Sequence, residues 1–448
     1  MNSSIRRLTC AALAASLGAG AAPPVSKVTF SDTKLKNGLR VIISEDHSAP
    51  TVSIAVQYNV GSRDERKGRT GFAHLFEHMM FKGSENIGQN EHPYLIFMNG
   101  GSMNGTTNKD RTLYYEILPA NQLDLGLFLE ADRMRSLAIT KANLDNQTNA
   151  VQEERRLGVD NVPYGKTFEA IDELAYENFA YEHSVIGSMA DLSAASVEDV
   201  SAFFKTYYAP SNAVIGIVGD VDTKATLAKM EKYFGAIPSQ PAPAPVDMTE
   251  PAQTEERRLT LDDGLARLTR IDMAYKIPPA SSPDFEAIGV MTSILSSGRS
   301  SRFYESLVRQ KQLSQGVNAF AEDARGPGLL RVIGTVLPGK TAADLEAGID
   351  AEIERLKTDP IADWEIAKAR TSARRSFVNT VGSSMSKAVT MSQDALFFND
   401  PGRINTREER IAKVTAADVQ RVARQYLVKT SRTVVHTVPK AAAPKGGL

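Results

Sequence analysis

The sequence predicts an α+β protein made of two similar domains. The chain has 448 residues, which is more than one ordinary domain contains. A helix, a short turn and a strand follow one another at 198–218 and again at 417–437. Three residues recur at one offset in the two units: Asp199, Val200 and Tyr207 in the first, and Asp418, Val419 and Tyr426 in the second. Between the units, a proline- and alanine-rich stretch at 237–245 is typical of a linker.

The composition is that of a globular protein and excludes some functions. Hydrophobic residues make up 42% of the chain and charged residues 23%, so the chain can bury large cores and has no signature of disorder. The formal net charge is −1. A chain of this kind lacks the basic footprint of a nucleic-acid-binding protein. We therefore expect no nucleic-acid partner.

Residues 1–22 have the pattern of a secretory signal peptide. Arg6 and Arg7 precede a short apolar run at 8–17, and small residues follow it. A membrane anchor is the weaker alternative because the run is short and rich in Ala and Gly. The only cysteine, Cys10, lies in this run, so the mature protein would contain none. We expect a periplasmic or secreted protein without a membrane span.

The chain up to residue 158 alternates between strand and helix patterns. Runs rich in β-branched residues predict strands, and apolar residues at helical spacing predict helices. The predicted strands cover 38–44, 51–58, 100–107 and 112–117, and the predicted helices cover 72–80, 121–135 and 141–158. The predicted divisions are a first domain at 26–235, a linker at 236–255, a second domain at 256–438 and a disordered tail at 439–448.

The helix predicted at 72–80 carries two histidines four residues apart, with a glutamate between them. Successive helical residues advance by about 100°, so His74, Glu77 and His78 fall on one face. Two imidazoles one turn apart can share a Zn²⁺ ion, and the carboxylate can take the proton of a zinc-bound water. The order H-x-x-E-H occurs among catalytic signatures. The alternative at this point is an amphipathic helix whose histidines are incidental.

Glu154 is the candidate for a third ligand. It falls on the same side of the helix predicted at 141–158 as a mostly apolar and small set of residues: Leu144, Gln147, Ala150, Val151, Leu157 and Gly158. A buried carboxylate is costly unless it is paired or binds a metal. The alternatives are a glutamate at the rim of the core and a buried ion pair with an arginine.

On these residues the chain resembles the M16 zinc metallopeptidases, the family of pitrilysin and the mitochondrial processing peptidase, and most closely its short bacterial branch. The sequence HLFEHMMFKGS at 74–84 matches that family, and Glu154 stands 76 residues after His78, the interval of the family's third ligand. Further landmarks fit the family at Asn104, Thr106, Tyr114, Tyr115, 185–187 and 208–212. The resemblance spans nearly all of the mature chain.

The resemblance implies a zinc peptidase. His74, His78 and Glu154 would bind Zn²⁺, and Glu77 would be the general base. Two similar domains, each a mostly antiparallel sheet flanked by helices, would form half of a chamber that admits unfolded peptides. The substrate would add as a strand to a sheet edge. The residues implied to bind it there are Gly101, Ser102, Met103, Asn104, Gly105 and Thr106. The alternative is that the glycines only mark a bend before the strand.

Two positions depart from the family pattern. Gln147 stands where the family often has a glutamate beside the metal ligands, and an amide can hydrogen-bond there but lends no charge. In the run 301–315, Arg309 matches an arginine that family members use to hold the substrate, but Gln315 stands at the position of the accompanying tyrosine. We therefore expect a second M16-like chain, carrying the Arg/Tyr pair, to complete the site. A homodimer is the alternative.

The resulting expectation is the metal-binding, catalytic subunit of a zinc endopeptidase. One alternative is a non-catalytic scaffold of the same fold, which would not need the three ligands and Glu77. Another is a periplasmic zinc-binding protein, which usually carries histidine-rich tracts. The other histidines have no partner spacing and are expected at the surface or in packing: His47, His92, His183 and His436.

Overall fold

The computed structural model describes residues 26–440, so the predicted signal peptide and residues 441–448 of the predicted tail lie outside the described residues. The described chain forms eleven strands and fifteen α-helices. The strands are β1 (Ser31–Lys34), β2 (Arg40–Glu45), β3 (Thr51–Tyr58), β4 (Ser102–Thr107), β5 (Thr112–Pro119), β6 (Ala213–Gly219), β7 (Arg257–Asp263), β8 (Arg270–Ile277), β9 (Ser314–Ala321), β10 (Gly328–Val336) and β11 (Arg432–Pro439). The helices are α1 (Phe72–Met79), α2 (Glu91–Met98), α3 (Leu123–Arg135), α4 (Lys141–Arg155), α5 (Gly165–Ala175), α6 (Phe179–Glu182), α7 (Met189–Ser193), α8 (Val197–Tyr207), α9 (Thr223–Phe234), α10 (Phe285–Ser296), α11 (Ala342–Thr358), α12 (Asp363–Val381), α13 (Ser384–Phe398), α14 (Arg407–Ala412) and α15 (Ala416–Tyr426). None of these helices is long and apolar enough to cross a membrane.

Two sheets of matching strand order organise the molecule. The first sheet has the order β1-β2-β6-β3-β5-β4, and the second has the order β7-β11-β8-β10-β9. Each contains one parallel pair, β2 with β6 and β7 with β11, and its other neighbours are antiparallel. From β2 onward, the two orders correspond strand for strand. The prediction of two similar domains with mostly antiparallel sheets flanked by helices is confirmed.

The recurring helix–turn–strand units have the same local cause. α8 begins after Ser196, whose side chain accepts a hydrogen bond from Asp199 N. α15 begins after Thr415, whose side chain accepts one from Asp418 N. Such a cap satisfies a helical N–H group that has no partner within the helix. Each helix then leads through a 3₁₀ turn into a strand, β6 or β11, so the predicted internal repeat is confirmed.

One helix from each half of the sequence packs against the sheet of the other half. α5 lies in the first half of the sequence but packs against β11, β8 and β7. α13 lies in the second half but packs against β6 and β3. A Cβ at Gly216 of β6 would come within 2.5 Å of Ala388 O of α13, so this helix rests directly on the strand. The predicted domain limits remain predictions, and neither continuous range covers its own sheet without help from the other.

The chain between α9 and β7 contains no helix or strand, but it is held against both halves. Glu250 accepts hydrogen bonds from Asn178 N at 3.0 Å and from Lys276 Nζ at 2.6 Å. Met248 packs beside a core cluster shared by α5 and the second sheet. The part of this segment around Met248 and Glu250 therefore lies against both halves and connects them.

Candidate metal centre

The N-terminus of α1 is fixed by a buried carboxylate. Gly71 precedes α1 with φ 85°, a conformation that glycine adopts without strain. Glu65 accepts hydrogen bonds from Gly71 N at 2.9 Å and from Ala73 N at 2.8 Å. His183 Nε2 lies 2.9 Å from the same carboxylate. Glu65 was not predicted from the sequence, and no motif indicates it, because the contact with His183 joins residues 118 positions apart.

The apolar face of α1 is buried. Phe72, Leu75, Phe76 and Met79 are at most 5% exposed and belong to the core of the first half. The ring of Phe76 packs against Tyr208, with centroids 4.2 Å apart. This packing sets the rotation of the helix, so its histidine face turns towards α4.

The three predicted ligands come together between α1 and α4. Glu154 Oε2 lies 3.6 Å from His74 Nε2 and 3.4 Å from His78 Nε2. The two imidazole rings stand 4.8 Å apart at 80°. Ligand atoms about 2.0–2.1 Å from a tetrahedral Zn²⁺ ion are separated from one another by about 3.3 Å. The donor set and its spacing therefore fit a zinc ion.

Glu154 reaches this site for a different reason from the predicted one. Its side chain is 49% exposed, and Leu157 is exposed as well, so the apolar stripe of α4 ends at Val151. Arg155 donates to Glu169 at 2.6 Å and anchors the end of α4. The expectation that burial marks Glu154 was wrong. What distinguishes this carboxylate is its distance to two imidazoles.

Glu77 lies against the edge strand β4. Its residue is 7% exposed, and its Oε2 accepts a hydrogen bond from Thr107 Oγ1 at 2.6 Å. Gly105 approaches so closely that a Cβ there would come within 2.8 Å of Glu77 Oε1. The face of α1 that carries the histidines therefore also buries a carboxylate against β4.

Burial dominates the electrostatics of the centre. It lowers the pKa of His74 to about 4, and the charge of His78 acts in the same direction. Burial also raises the pKa of Glu77, while the hydrogen bond from Thr107 opposes this. The hydrogen bond with His78 lowers the pKa of Glu154. Neutral imidazole and ionised carboxylate are the forms that bind Zn²⁺, and His74 and Glu154 take them at neutral pH.

Gln147 lies two turns before Glu154 on α4 and is buried. Its Nε2 donates to Asn146 Oδ1 at 2.6 Å. His74 Nδ1 is buried without a hydrogen-bond partner in the described chain, so Gln147 does not bond to this ring. Metal-binding histidines usually donate their second N–H to such a group. A supporting role for Gln147 stays a prediction.

β4 is the free edge of the first sheet and lies beside α1. The β4–β5 hairpin closes with Asn108 N donating to Arg111 O at 3.0 Å. Antiparallel residue pairs alternate between hydrogen-bonded and non-hydrogen-bonded. Counting back from that closing pair, the main-chain groups of Met103, Gly105 and Thr107 point to the open edge.

The remaining residues predicted to bind substrate have other surroundings. Asn104 uses its side-chain oxygen to accept a hydrogen bond from Gly105 N at 2.9 Å. Ser102 and Asn104 are exposed, and Thr106 is half-buried. Gly101 precedes β4 and has no room for a Cβ, which would lie 2.6 Å from the Leu118 side chain. The structure thus gives Gly101 a packing role at the start of the strand.

The residues of interest in the second half make local contacts. Arg309 lies on the π-helical segment Tyr304–Gln310 and pairs with Glu305 at 3.0 Å, with 70% of its side chain exposed. Gln315 is an exposed residue of β9. Within this chain, Arg309 thus pairs with its own helix neighbour and not with a residue of the metal centre.

A second histidine–glutamate cluster lies among α2, β5 and α3. His92, Glu116 and Glu130 are all buried, and their ligand-type atoms lie within 4.8 Å of one another. His92 Nε2 is 2.7 Å from Glu116 Oε1, and Arg133 donates to Glu130 with Nε at 2.9 Å. Burial raises the pKa of both glutamates to about 7. The 2.7 Å spacing is that of a hydrogen bond, so we interpret this cluster as a buried hydrogen-bond network that includes the Arg133–Glu130 ion pair.

Two family models match consecutive parts of the chain. The model described as "Insulinase (Peptidase family M16)" matches residues 40–188, which include α1 and α4. The model described as "Peptidase M16 inactive domain" matches residues 194–373. Together they span most of the chain, and all four residues of the metal centre lie in the first match.

Curated relatives match over nearly the whole length. "Zinc protease PqqE" of Helicobacter pylori is 29% identical over 409 residues, which cover 90% of this chain and 92% of that protein. "Uncharacterized zinc protease YmxG" of Bacillus subtilis is 22% identical over 387 residues, which cover 86% of this chain and 92% of that protein. A probable mitochondrial-processing peptidase subunit beta of Arabidopsis thaliana is 25% identical over 410 residues, which cover 88% of this chain and 76% of that protein.

Solved structures share the fold. A protease from Helicobacter pylori superposes with a TM-score of 0.88 at 28% identity and covers 92% of this chain and 100% of that chain. An M16 inactive domain from Pseudomonas fluorescens has a TM-score of 0.82 at 17% identity and covers 93% of this chain and 99% of that chain. The periplasmic protease PqqL from Escherichia coli, with a TM-score of 0.77 at 19% identity, matches 95% of this chain with 50% of its own. The last two likenesses bear on the fold alone.

Proposed function

This chain belongs to the M16 peptidase family, and we propose that it is a zinc-dependent endopeptidase that hydrolyses unfolded peptides. The observation that supports this most is the convergence of three ligands. Glu154 Oε2 lies within 3.6 Å of His74 Nε2 and His78 Nε2, at a spacing that suits one zinc ion. Relatives named zinc proteases agree with that metal.

The proposed chemistry assigns one task to each residue. When bound, Zn²⁺ polarises a peptide carbonyl and lowers the pKa of a water. His74, His78 and Glu154 hold the ion. Glu77 accepts the proton of the attacking water and delivers it to the leaving amine. Because burial raises the pKa of Glu77, its protonated form is more accessible and the return of the proton is easier.

The substrate would bind as an added strand on β4. The outward main-chain groups of Met103, Gly105 and Thr107 offer the alternating donors and acceptors that an extended peptide needs. Gly105 N is held by the Asn104 side chain, which would have to release it when a peptide binds. Main-chain recognition favours unfolded peptides because a folded chain has few unpaired extended segments.

A second M16-like subunit would complete the site. Gln315 stands at the position of the family tyrosine, and Arg309 pairs within its own helix. A partner carrying the Arg/Tyr pair would supply the missing donors for the developing oxyanion. This proposal makes the chain the metal-binding half of a heterodimer, with a homodimer as the alternative. The pattern at 1–22 supports a periplasmic location.

The test is an assay of the zinc-loaded chain on a quenched fluorescent peptide library, alone and with a companion M16-like chain that carries the Arg/Tyr pair. We expect one zinc per chain, and cleavage that appears or rises strongly with the companion. Glu77→Gln should keep the zinc and lose cleavage, by about 10²-fold or more. Full peptidase activity of the chain alone would refute the proposal that a second subunit completes the site. Zinc binding without cleavage of any peptide, with the companion present, would refute the peptidase and favour a scaffold.

A further inference from the structure

We infer that Thr107 is a positioning residue for the proposed general base, and that the edge strand β4 therefore serves both the substrate and the base. This inference rests on the proposed function, since it concerns how Glu77 is held. It adds a role for a side-chain hydroxyl outside the H-x-x-E-H motif, on a residue to which the proposed function assigns only main-chain contacts with the substrate.

The contact between Thr107 and Glu77 is short and sheltered. Thr107 Oγ1 donates to Glu77 Oε2 at 2.6 Å, the length of a strong O–H···O⁻ hydrogen bond. Glu77 is 7% exposed, so little water competes for this carboxylate. A buried carboxylate with few partners can rotate about its side-chain bonds, and one fixed donor removes much of that freedom.

Gly105 confines the other oxygen of the same carboxylate. Residues two apart on a strand share a face, so Gly105 and Thr107 both turn towards α1. A Cβ at Gly105 would lie 2.8 Å from Glu77 Oε1 and 3.0 Å from Glu77 Cγ. The absence of a side chain at this position lets the carboxylate lie flat on the strand, with one oxygen on the hydroxyl and the other over the glycine.

The end of β4 is itself held in place. Arg111 donates to Thr106 O at 2.7 Å and to Thr106 Oγ1 at 2.6 Å, which ties the hairpin together next to Thr107. The directly opposite residue, Thr112, sends its hydroxyl elsewhere and donates to Val60 O at 2.9 Å. Of the two threonines in this cross-strand pair, Thr107 is the one bonded to the proposed base.

The consequence is a physical link between substrate binding and catalysis. The main-chain N–H and C=O groups of Gly105 and Thr107 point to the open edge of the sheet. On the face of the strand that lies against α1, Gly105 and the hydroxyl of Thr107 contact Glu77. A peptide that adds to this edge fixes the strand that holds the base. A misplaced base is expected to reduce turnover without reducing the main-chain hydrogen bonds that bind the peptide.

The test compares Thr107→Val, which removes the hydroxyl at nearly constant shape, with Thr107→Ser, which keeps it. Steady-state rates on the peptide library are measured with the zinc-loaded protein in its active assembly. Affinity for a peptide hydroxamate, measured by calorimetry, gives a second readout that needs no turnover. Thr112→Val is the matched control, because it removes the opposite hydroxyl without touching Glu77. Glu77→Gln sets the size of a complete loss of the base.

We expect Thr107→Val to lower kcat by about 10- to 100-fold with KM and zinc content unchanged, and to weaken the hydroxamate by about 10-fold. Thr107→Ser should stay within about threefold of the unaltered chain, and Thr112→Val should keep kcat while lowering Tm. If Thr107→Val keeps full kcat and hydroxamate affinity while Glu77→Gln loses both, the positioning role is overturned and the peptidase stands. Loss of zinc or a raised KM in Thr107→Val overturns it as well. If the unaltered protein cleaves nothing, the proposed function fails, and hydroxamate affinities still decide whether Thr107 positions Glu77.

Discussion

Two clusters of histidine and glutamate lie in the first half of the molecule, one at the junction of α1 and α4 and the other among α2, β5 and α3. In the first, donor atoms stand 3.4–3.6 Å apart and Glu154 is half exposed. In the second, His92 and Glu116 stand 2.7 Å apart, both are buried, and Arg133 pairs with the neighbouring glutamate. The residue types are the same. Spacing, access to solvent and a neighbouring cation therefore distinguish the proposed metal centre from the buried hydrogen-bond network.

The largest expected effect is the loss of zinc from one cluster only. Replacing His78 by Ala removes one of three ligands, so zinc content after dialysis should fall from about one per chain to nearly zero, with hydrolysis lost as well. Replacing His92 by Ala should leave the zinc content unchanged, because we interpret that cluster as a hydrogen-bond network and assign no metal to it. Elemental analysis of both variants measures this. Zinc lost from the His92 variant, or kept by the His78 variant, would contradict the distinction.

The next effect concerns stability. Arg133→Met removes the cation from the buried cluster and leaves the buried carboxylate of Glu130 without its ion-pair partner, which should lower the free energy of unfolding, measured in urea, by about 3–5 kcal/mol. Arg135→Met, two residues on, removes a half-exposed arginine that pairs with Asp132 and Glu85. Arg135→Met should lower the free energy of unfolding by less than about 1 kcal/mol. Equal costs for the two variants would show that Arg133 is not the charge that balances the cluster.

A pH-dependent effect of intermediate size is expected at Glu116. Its pKa is raised from 4.5 to about 7 by burial, so between these values the unfolded chain loses a proton that the folded chain keeps. This carboxyl therefore reduces stability as pH rises from about 4.5 to 7. Glu116→Gln has no such proton. The free energy of unfolding of this variant should therefore rise relative to that of the unaltered chain between about pH 4.5 and 7, by on the order of 1–3 kcal/mol. Urea midpoints at several pH values test this, and a gain that grows towards low pH would have the wrong sign.

The smallest effect on stability is expected at Glu154. Because its side chain is 49% exposed, Glu154→Gln should change the metal-free stability by less than about 0.5 kcal/mol, although zinc affinity falls. Thermal melts in the presence of a chelator measure the first quantity, and zinc titration measures the second. A large loss of metal-free stability would mean that Glu154 is a structural carboxylate, like those of the buried cluster.

The two halves differ in the same way as the two clusters. Along the chain, α1 follows β3 and precedes β4. In the second half, α10 follows β8 and precedes β9, the strands that correspond to β3 and β4. α10 has the sequence FEAIGVMTSILS, without a histidine, and buries most of its residues. The two halves share helix caps, strand order and the positions of core residues, because these features determine the fold that both halves adopt. The proposed metal ligands all lie in the first half.

Local patterns in the sequence were sufficient for much of the fold. Runs of β-branched residues indicated the strands around the proposed metal centre, and helical apolar spacing indicated the helices. The recurrence of Asp199 and Asp418 at one offset, each in the first turn of its helix, indicated the repeat. His74, Glu77 and His78 were predictable because all three lie within two turns of one helix. The exchange of α5 and α13 was not predictable, since an apolar helix face does not specify which sheet covers it.

Among the residues of the proposed site, those with a local sequence pattern were predictable, and contacts between distant parts of the chain were not. Glu154 was found by spacing and resemblance, while its exposure differed from the expectation because the stripe on α4 stops at Val151. Glu65, His183 and Thr107 had no sequence signal, since each acts through a residue far away in the chain. His92 was expected either at the surface or in packing. It is buried, and its pairing with Glu116 was not foreseen.

The sequence by itself determined which residue types lie on one helix face, where helices begin and how the strands alternate, because these properties depend on neighbours within a few positions. The tertiary structure alone decided which carboxylate stands 3.4 Å from His78, which one stands 2.7 Å from His92, and that β4 lies against Glu77. Those distances depend on how whole elements pack. A metal centre is defined by such distances, so its ligands could be listed from the sequence but its geometry could not.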